Sequence, residues 1–215
     1  MVKILGIDEA GRGPIIGPMV MAGTLIEEDK ISKLIELKVK DSKMHTPKER
    51  VELYDKIITI VEKYEITISS PKEIDHALKD PKLNLNWLEA EKTIEIINKL
   101  NPDKVIADCP SVNIKKYTDY VKRKINNQEI ELVFEHKADE NYPIVSAASI
   151  LAKVTRDNSI ETLKKIYGDF GSGYLTDPKT QEFMKKDHKL PIFRKTWSTW
   201  KKLENDKSQK RLGDF

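Results

Sequence analysis

The 215-residue chain holds a single cysteine, which excludes an internal disulfide framework and any cysteine-based zinc cluster, and points to a reducing cytoplasmic setting. Long apolar runs are also missing. The first one, MVKILGI, stops at Asp8 and Glu9, so neither a signal peptide nor a spanning helix is expected, and the chain reads as soluble with no membrane partner. There is no Gly-Lys-Ser/Thr phosphate loop. Gly11-Arg12-Gly13 is followed by Pro14, Gly17 and Pro18, which oppose the helix that a dinucleotide fingerprint requires. Through residue 167 no repeat, low-complexity stretch or Gly/Ser-rich boundary interrupts the chain. What remains is 39% hydrophobic and 34% charged, too apolar and too regularly patterned for disorder, and of a size for one compact domain with an appendage. The net charge of +3 conceals an asymmetry: from Lys179 onward there are 11 basic and 5 acidic residues, a +6 segment beside a −3 body. That division suits a polyanion held near a carboxylate cluster, or equally a solvated lysine-rich surface.

Strands and helices alternate after a hairpin-like opening. KILGI reads as a short buried strand ending at Asp8 and Glu9, with a second apolar run through Leu25 and Ile26. Thr46-Pro47-Lys48-Glu49 and Ser70-Pro71-Lys72-Glu73 are capping boxes with proline at the first helical position. A helical pattern through Leu88, Ile96, Ile97 and Leu100 stops at Asn101-Pro102, and Val105-Ile106-Ala107 reads as a buried strand ending at Asp108. Ile114, Tyr117, Val121 and Ile125 mark a helix, the segment from Glu129 a strand, and residues 142–167 a long helix closed by Gly168. The pattern predicts an α/β fold with a mixed sheet.

Asp8, Glu9, Asp108 and Asp139 all fall at element ends. In an open α/β sheet the carboxyl ends of the strands form one rim where ligands bind, so the first strand and the Val105 strand, if neighbours, bring their acids together. Clustered carboxylates repel unless a cation neutralises them, and an oxygen-only set selects magnesium or manganese. A pair of such ions serves phosphodiester hydrolysis with no nucleophilic side chain. Each acid alone also suits a cap or a turn, Asp139 before a helix and Asp108 before proline. Asp8 and Glu9, being successive, share a site only where the strand ends or distorts. Gly11-Arg12-Gly13 allows close backbone approach with a guanidinium in reach of phosphate, or is a plain tight turn.

Taken together, GIDEAGRGPIIGPMV from Gly6, DSK at Asp41 to Lys43, Asp108, KADENYPIVSAASILAKVTRD from Lys137, GSGYLTDP from Gly171 and FRKTW from Phe193 resemble type 2 ribonuclease H (ribonuclease HII), archaeal branch, across Val2 to Trp197. The resemblance implies a ribonuclease H-like mixed sheet flanked by helices, with a catalytic domain over residues 1–167 and a C-terminal helical substrate-binding extension over 168–208. It implies an enzyme, a monomer, that hydrolyses the RNA strand of RNA-DNA hybrids and cuts 5′ of ribonucleotides embedded in duplex DNA, leaving 5′-phosphate and 3′-hydroxyl ends. The family's catalytic, metal-binding acids carry over to Asp8, Glu9, Asp108 and Asp139, holding two Mg2+ or Mn2+ ions. Gly11, Arg12 and Gly13 carry over as the loop addressing the 2′-hydroxyl, Tyr174 as the ring against the next sugar, and Lys43 as a lysine near substrate phosphates. Departures from the family pattern, Met44-His45 after DSK, Leu175 after Tyr174 and the surroundings of Arg194, touch substrate loops and spare the acids.

The competing reading from another class is a non-catalytic hybrid-binding protein whose acids are structural. His45, His136 and His188 read as surface or packing histidines rather than proton shuttles, Cys109 as a small buried hydrophobe, and Trp197 and Trp200 either face nucleic acid or pack on the body. At the C-terminus Gln209, Leu212 and Phe215 resemble the clamp-binding peptide of replication and repair proteins, which implies that residues 209–215 dock on the DNA sliding clamp. Their spacing of three is one helical turn, so Leu212 and Phe215 can share an apolar pocket; a frayed polar tail is the alternative.

Overall fold

The computed structural model describes residues 1–39 and 45–212, without the side chains of 207–212. Lys43 and Phe215 therefore lie outside the described residues. The chain opens with a hairpin, β1 (Lys3–Ala10) against β2 (Met19–Glu27), followed by a 3₁₀ turn and the short α1 (Ile31–Glu36). Next come α2 (Pro47–Ile60), β3 (Lys63–Ser69), α3 (Pro71–Ala77), α4 (Leu85–Leu100), β4 (Lys104–Asp108), α5 (Ile114–Lys124) and β5 (Glu131–Glu135). A four-residue α6 (Ala138–Asn141), the long α7 (Pro143–Tyr167), α8 (Pro178–Asp187) and α9 (Ser198–Leu212) complete it.

Local chemistry accounts for most boundaries. Thr46 and Ser70 each accept from the backbone N–H three residues on, while Glu49 and Glu73 reach back to the cap. Asn84 caps α4 through Trp87 N–H, and Asn101 ends that helix in the left-handed region at φ 44°. Asparagine tolerates that conformation better than most residues, and Pro102 forbids continuation.

The five strands run in the order β3-β2-β1-β4-β5, antiparallel on the hairpin side and parallel for β1, β4 and β5. This is the expected mixed sheet flanked by helices. On one face Ile4, Ala10, Val20 and Ile106 pack against α7, α2 and α1 through Ile150, Leu151, Ile57 and Leu34. The opposite face sets Leu5, Ile7, Val105 and Ala107 against α4 and α5 through Ile96, Ile97, Tyr117 and Val121. A third cluster joins Ile15 and Ile16 to Phe170, Met184, Ile192 and Phe193, with Trp197 and Trp200 packed on it. The two tryptophans thus serve packing, and Trp200 donates its indole N–H to His188 O at 2.7 Å.

Three expectations need correction. β1 does not end at Asp8 and Glu9: it runs through both to Ala10, because β2 supplies a pairing partner for every residue, Asp8 opposite Ala22 and Glu9 opposite Met21. β5 begins at Glu131, two residues later than the apolar pattern suggests. Asp139 lies inside a short helix of its own rather than in a connection. The sequence reading also passed over β3, an edge strand whose Tyr64 and Ile68 face solvent.

Candidate active site

The site forms where β1 and β4 part. Their parallel pairing runs from Ile4 and Lys104 to Ile7 and Ala107 and then stops. Asp8 and Asp108 occupy the next position on each strand, so they share the face covered by α7, whereas Glu9 belongs to the face covered by α4. Even so, one ligand oxygen from each of Asp8, Glu9 and Asp108 lies within 4.8 Å of the others. Opening the seam between two strands lets carboxylates from both faces meet, which an intact sheet would prevent. Asp139 is buried and stands outside this group of three, yet close enough for its charge to act on both Asp8 and Asp108. The backbone N–H of Ala138 donates to Asp108 Oδ1 at 3.1 Å and ties α6 to β4.

Electrostatics in this seam favour neutral acids or a bound cation. Removal from water pushes Asp8 up to about 6, against hydrogen bonding from Ser149 and the charge of Lys153. Glu9 is driven well above its ordinary value, first by loss of water and then by Asp8, Glu89 and Asp108. Asp108 is raised as well, again chiefly by burial. A divalent cation would reverse all three effects together, and the donors are hard oxygens of the kind that magnesium and manganese take.

Beside the acids lies an open cleft of about 520 Å³, whose lining includes Glu9, Gly11, Arg12, Gly13, Lys153, Arg156 and Tyr174. Structure thus brings the predicted loop, tyrosine and one acid together. Gly11 has φ 77°, and a Cβ there would stand 2.7 Å from Pro18 O, so glycine is required on both counts. Gly173 O accepts from the N–H groups of Ile15 and Ile16 at 2.9 and 3.2 Å, which fastens the Tyr174 loop to the glycine loop. Arg156 stacks over the Tyr174 ring at 5.1 Å and donates to Ser172 O at 3.0 Å.

Sequence reasoning missed the residues that hold this cleft from behind. Arg194 is fully buried and donates to Gly17 O at 3.0 Å, Arg12 O at 2.8 Å and Gly11 O at 2.5 Å. Glu89, on α4, is 1% exposed and accepts from Arg12 Nε at 2.8 Å, while Asn86 Oδ1 accepts from Arg12 Nη2 at 2.5 Å. Burial pushes the Glu89 carboxyl up to about 7 despite that arginine. The signal for Glu89 was present: it occupies the same helical stripe as Thr93, Ile96, Ile97 and Leu100, where a charge is out of place. His136 Nδ1 donates to Cys109 O at 2.9 Å, and His188 is buried against Glu204 at 2.6 Å. His188 is thus a packing histidine and His136 an exposed one, and Cys109 is buried.

Residues 5–200 match the family model described as Ribonuclease HII. The chain is 46% identical to ribonuclease HII of Pyrococcus furiosus, covering 100% of this chain and 98% of the relative. It superposes on the crystal structure of ribonuclease H2 from Pyrococcus horikoshii with a TM-score of 0.88 at 43% identity, covering 95% of this chain and 98% of that one. A second similar structure, the PCNA:RNase HII complex from Archaeoglobus fulgidus, gives a TM-score of 0.83 at 37% identity over 92% and 96% of the two chains.

Proposed function

This chain belongs to the ribonuclease HII family and is an endoribonuclease of the ribonuclease H type, and from that premise we propose that it hydrolyses RNA paired with DNA and cuts 5′ of single ribonucleotides embedded in duplex DNA. The observation that carries the reading is the convergence of Asp8, Glu9 and Asp108 within 4.8 Å at the mouth of a cleft lined by the glycine loop and Tyr174. Asp8, Glu9 and Asp108, with Asp139 behind them, would hold two divalent ions. When bound, Mg2+ or Mn2+ supplies water activation and charge stabilisation of the leaving oxygen. The residues of the chain do the rest. Gly11 and Gly13 let the backbone approach the 2′-hydroxyl, the group that separates RNA from DNA. Tyr174, 37% exposed beside Gly13, offers an aromatic face to the adjoining sugar, and the products carry 5′-phosphate and 3′-hydroxyl ends.

The basic C-terminal extension is proposed to hold the duplex. Its Lys195 and Lys201 face Lys72 and Lys79 of the α3 region across a groove of about 950 Å³. The tail is proposed to dock on a sliding clamp, as the Archaeoglobus relative is found with PCNA; α9 carries helical backbone through Gln209 and Leu212. The decisive assay is a duplex with one ribonucleotide, incubated with magnesium and sized to the nucleotide. One cut on the 5′ side of the ribonucleotide is expected, and an intact strand would overturn the reading.

A further inference from the structure

Arg12 is the exposed half of an ion pair whose other half is buried: 39% of its side chain is open to solvent against 1% for Glu89. Two acceptors on the first turns of α4, Asn86 Oδ1 and Glu89 Oε1, take its Nη2 and Nε. Being three residues apart, they lie on one face of the helix and engage two edges of a planar group, which fixes its orientation as a single charge contact would not. A guanidinium carries five N–H donors, so this anchoring leaves others on the cleft side for a ligand.

Stability gives no reason for this arrangement. A buried ion pair is commonly replaceable by apolar residues without loss, and the stripe around Glu89 is otherwise Ala90, Thr93, Ile96 and Ile97. Glu89 Oε2 is moreover buried without a hydrogen-bond partner among the described residues. Nor does the loop need it. Arg194 already holds the carbonyls of Gly11, Arg12 and Gly17, so the backbone of the glycine loop is set independently of the Arg12 side chain. What Glu89 controls, together with Asn86, is where the guanidinium points.

We propose that Glu89 is a positioning residue for substrate selection: its buried carboxylate aims Arg12 across the cleft, and discrimination of a ribonucleotide from a deoxynucleotide depends on that aim. The proposal rests on the reading of Arg12 as a substrate residue. It is tested with Glu89→Ala, Glu89→Gln, Arg12→Ala and the Glu89→Ala/Arg12→Ala pair. The readouts are kcat and KM on a duplex with one ribonucleotide, affinity for the all-DNA duplex, and thermal stability.

Glu89→Ala is expected to lower kcat/KM by about tenfold, the scale of one missing charge-assisted hydrogen bond, with affinity for all-DNA duplex unchanged. Glu89→Gln keeps an oxygen acceptor for Arg12 Nε and should recover most of that loss. The double variant should be no worse than Arg12→Ala, since both remove one interaction. Wild-type selectivity in Glu89→Ala beside an impaired Arg12→Ala overturns the proposal alone, as do losses that add. An unimpaired Arg12→Ala removes the reading beneath it and the proposal with it. If Glu89→Ala fails to fold, Asn86→Ala reads the same aim with the carboxylate in place: a smaller loss in the same direction supports the proposal, and none refutes it.

Discussion

Asp8 and Asp108 stand level with each other at the point where their strands separate, and the same geometry that makes them candidate ligands makes them costly. Asp8 is raised from 3.8 to about 6, so the folded state binds its proton more tightly than the unfolded chain does. Stability of the metal-free protein therefore falls as pH rises from about 4 to about 6, and Glu89, raised to about 7, extends the decline toward neutrality. Asp8→Asn mimics the protonated acid. In chelator at pH 7.5 it should be more stable than wild type by on the order of 2 kcal/mol, a rise in Tm of about 5 °C, while losing cleavage. Magnesium should raise the wild-type Tm and leave the variant nearly unmoved. A variant with an equal or lower Tm in chelator would contradict the account. Asp108→Asn should likewise abolish cleavage yet keep most duplex affinity, which comes largely from phosphate contacts. The acids themselves stood out in the sequence at the ends of KILGI and VIA, although each alone also suited a cap or a turn. Alternation along the strand already set Asp8 and Glu9 on opposite faces; what was not legible is the departure of β4, which reunites them.

The elements that frame this seam depend on close backbone approach. Gly6 in β1 lies under the first turn of α7, where a Cβ would stand 2.4 Å from Ile144 O. Thr24 of β2 donates to that same carbonyl at 2.9 Å, so the helix end is pinned from two neighbouring strands. Gly6→Ala must push α7 outward, and with it Ser149 and Lys153, the two α7 residues that act on Asp8. A loss of about 2–3 kcal/mol in urea unfolding is expected, together with reduced cleavage from displaced acids. Unchanged stability would show that the sheet yields instead. Such close approaches are invisible in a sequence, where Gly6 reads as one weak residue in an apolar run. Capping boxes at Thr46 and Ser70 were readable because their hydrogen bonds are local. β3 escaped because it is an edge strand with two apolar residues exposed, and β1 was cut short because charge usually ends a strand. Here the hairpin partner β2 outweighed that tendency.

At the scale of the whole molecule, the described part of the basic C-terminal segment meets α3 across the lysine-lined groove. The groove's two acids are committed elsewhere: Glu73 closes the capping box with Ser70, and Asp75 accepts from Lys195 N, Thr196 N and Thr196 Oγ1 at 2.7–2.9 Å. Lys72, Lys79, Lys195 and Lys201 therefore leave the groove basic, and it adjoins the cleft through Trp197, whose indole N–H donates to Gly13 O at 3.3 Å. Changing all four to alanine should flatten the salt dependence of duplex binding, by about 0.9 in slope for each phosphate no longer neutralised. A KM that rises on long duplexes with kcat intact is expected, and an unchanged slope would exclude the groove from the binding path. Farther along, α9 carries Gln209 and Leu212 one turn apart on helical backbone, the spacing with which a short helix enters an apolar pocket. Docking of this kind adds no chemistry; it raises local concentration where the clamp sits. Removing residues 209–215 should accordingly leave cleavage of free oligonucleotides within about twofold of wild type while abolishing co-migration with the purified clamp, since a tether acts on encounter and the acids belong to elements far from it along the chain. Clamp binding that survives the truncation would place the docking surface elsewhere on the molecule.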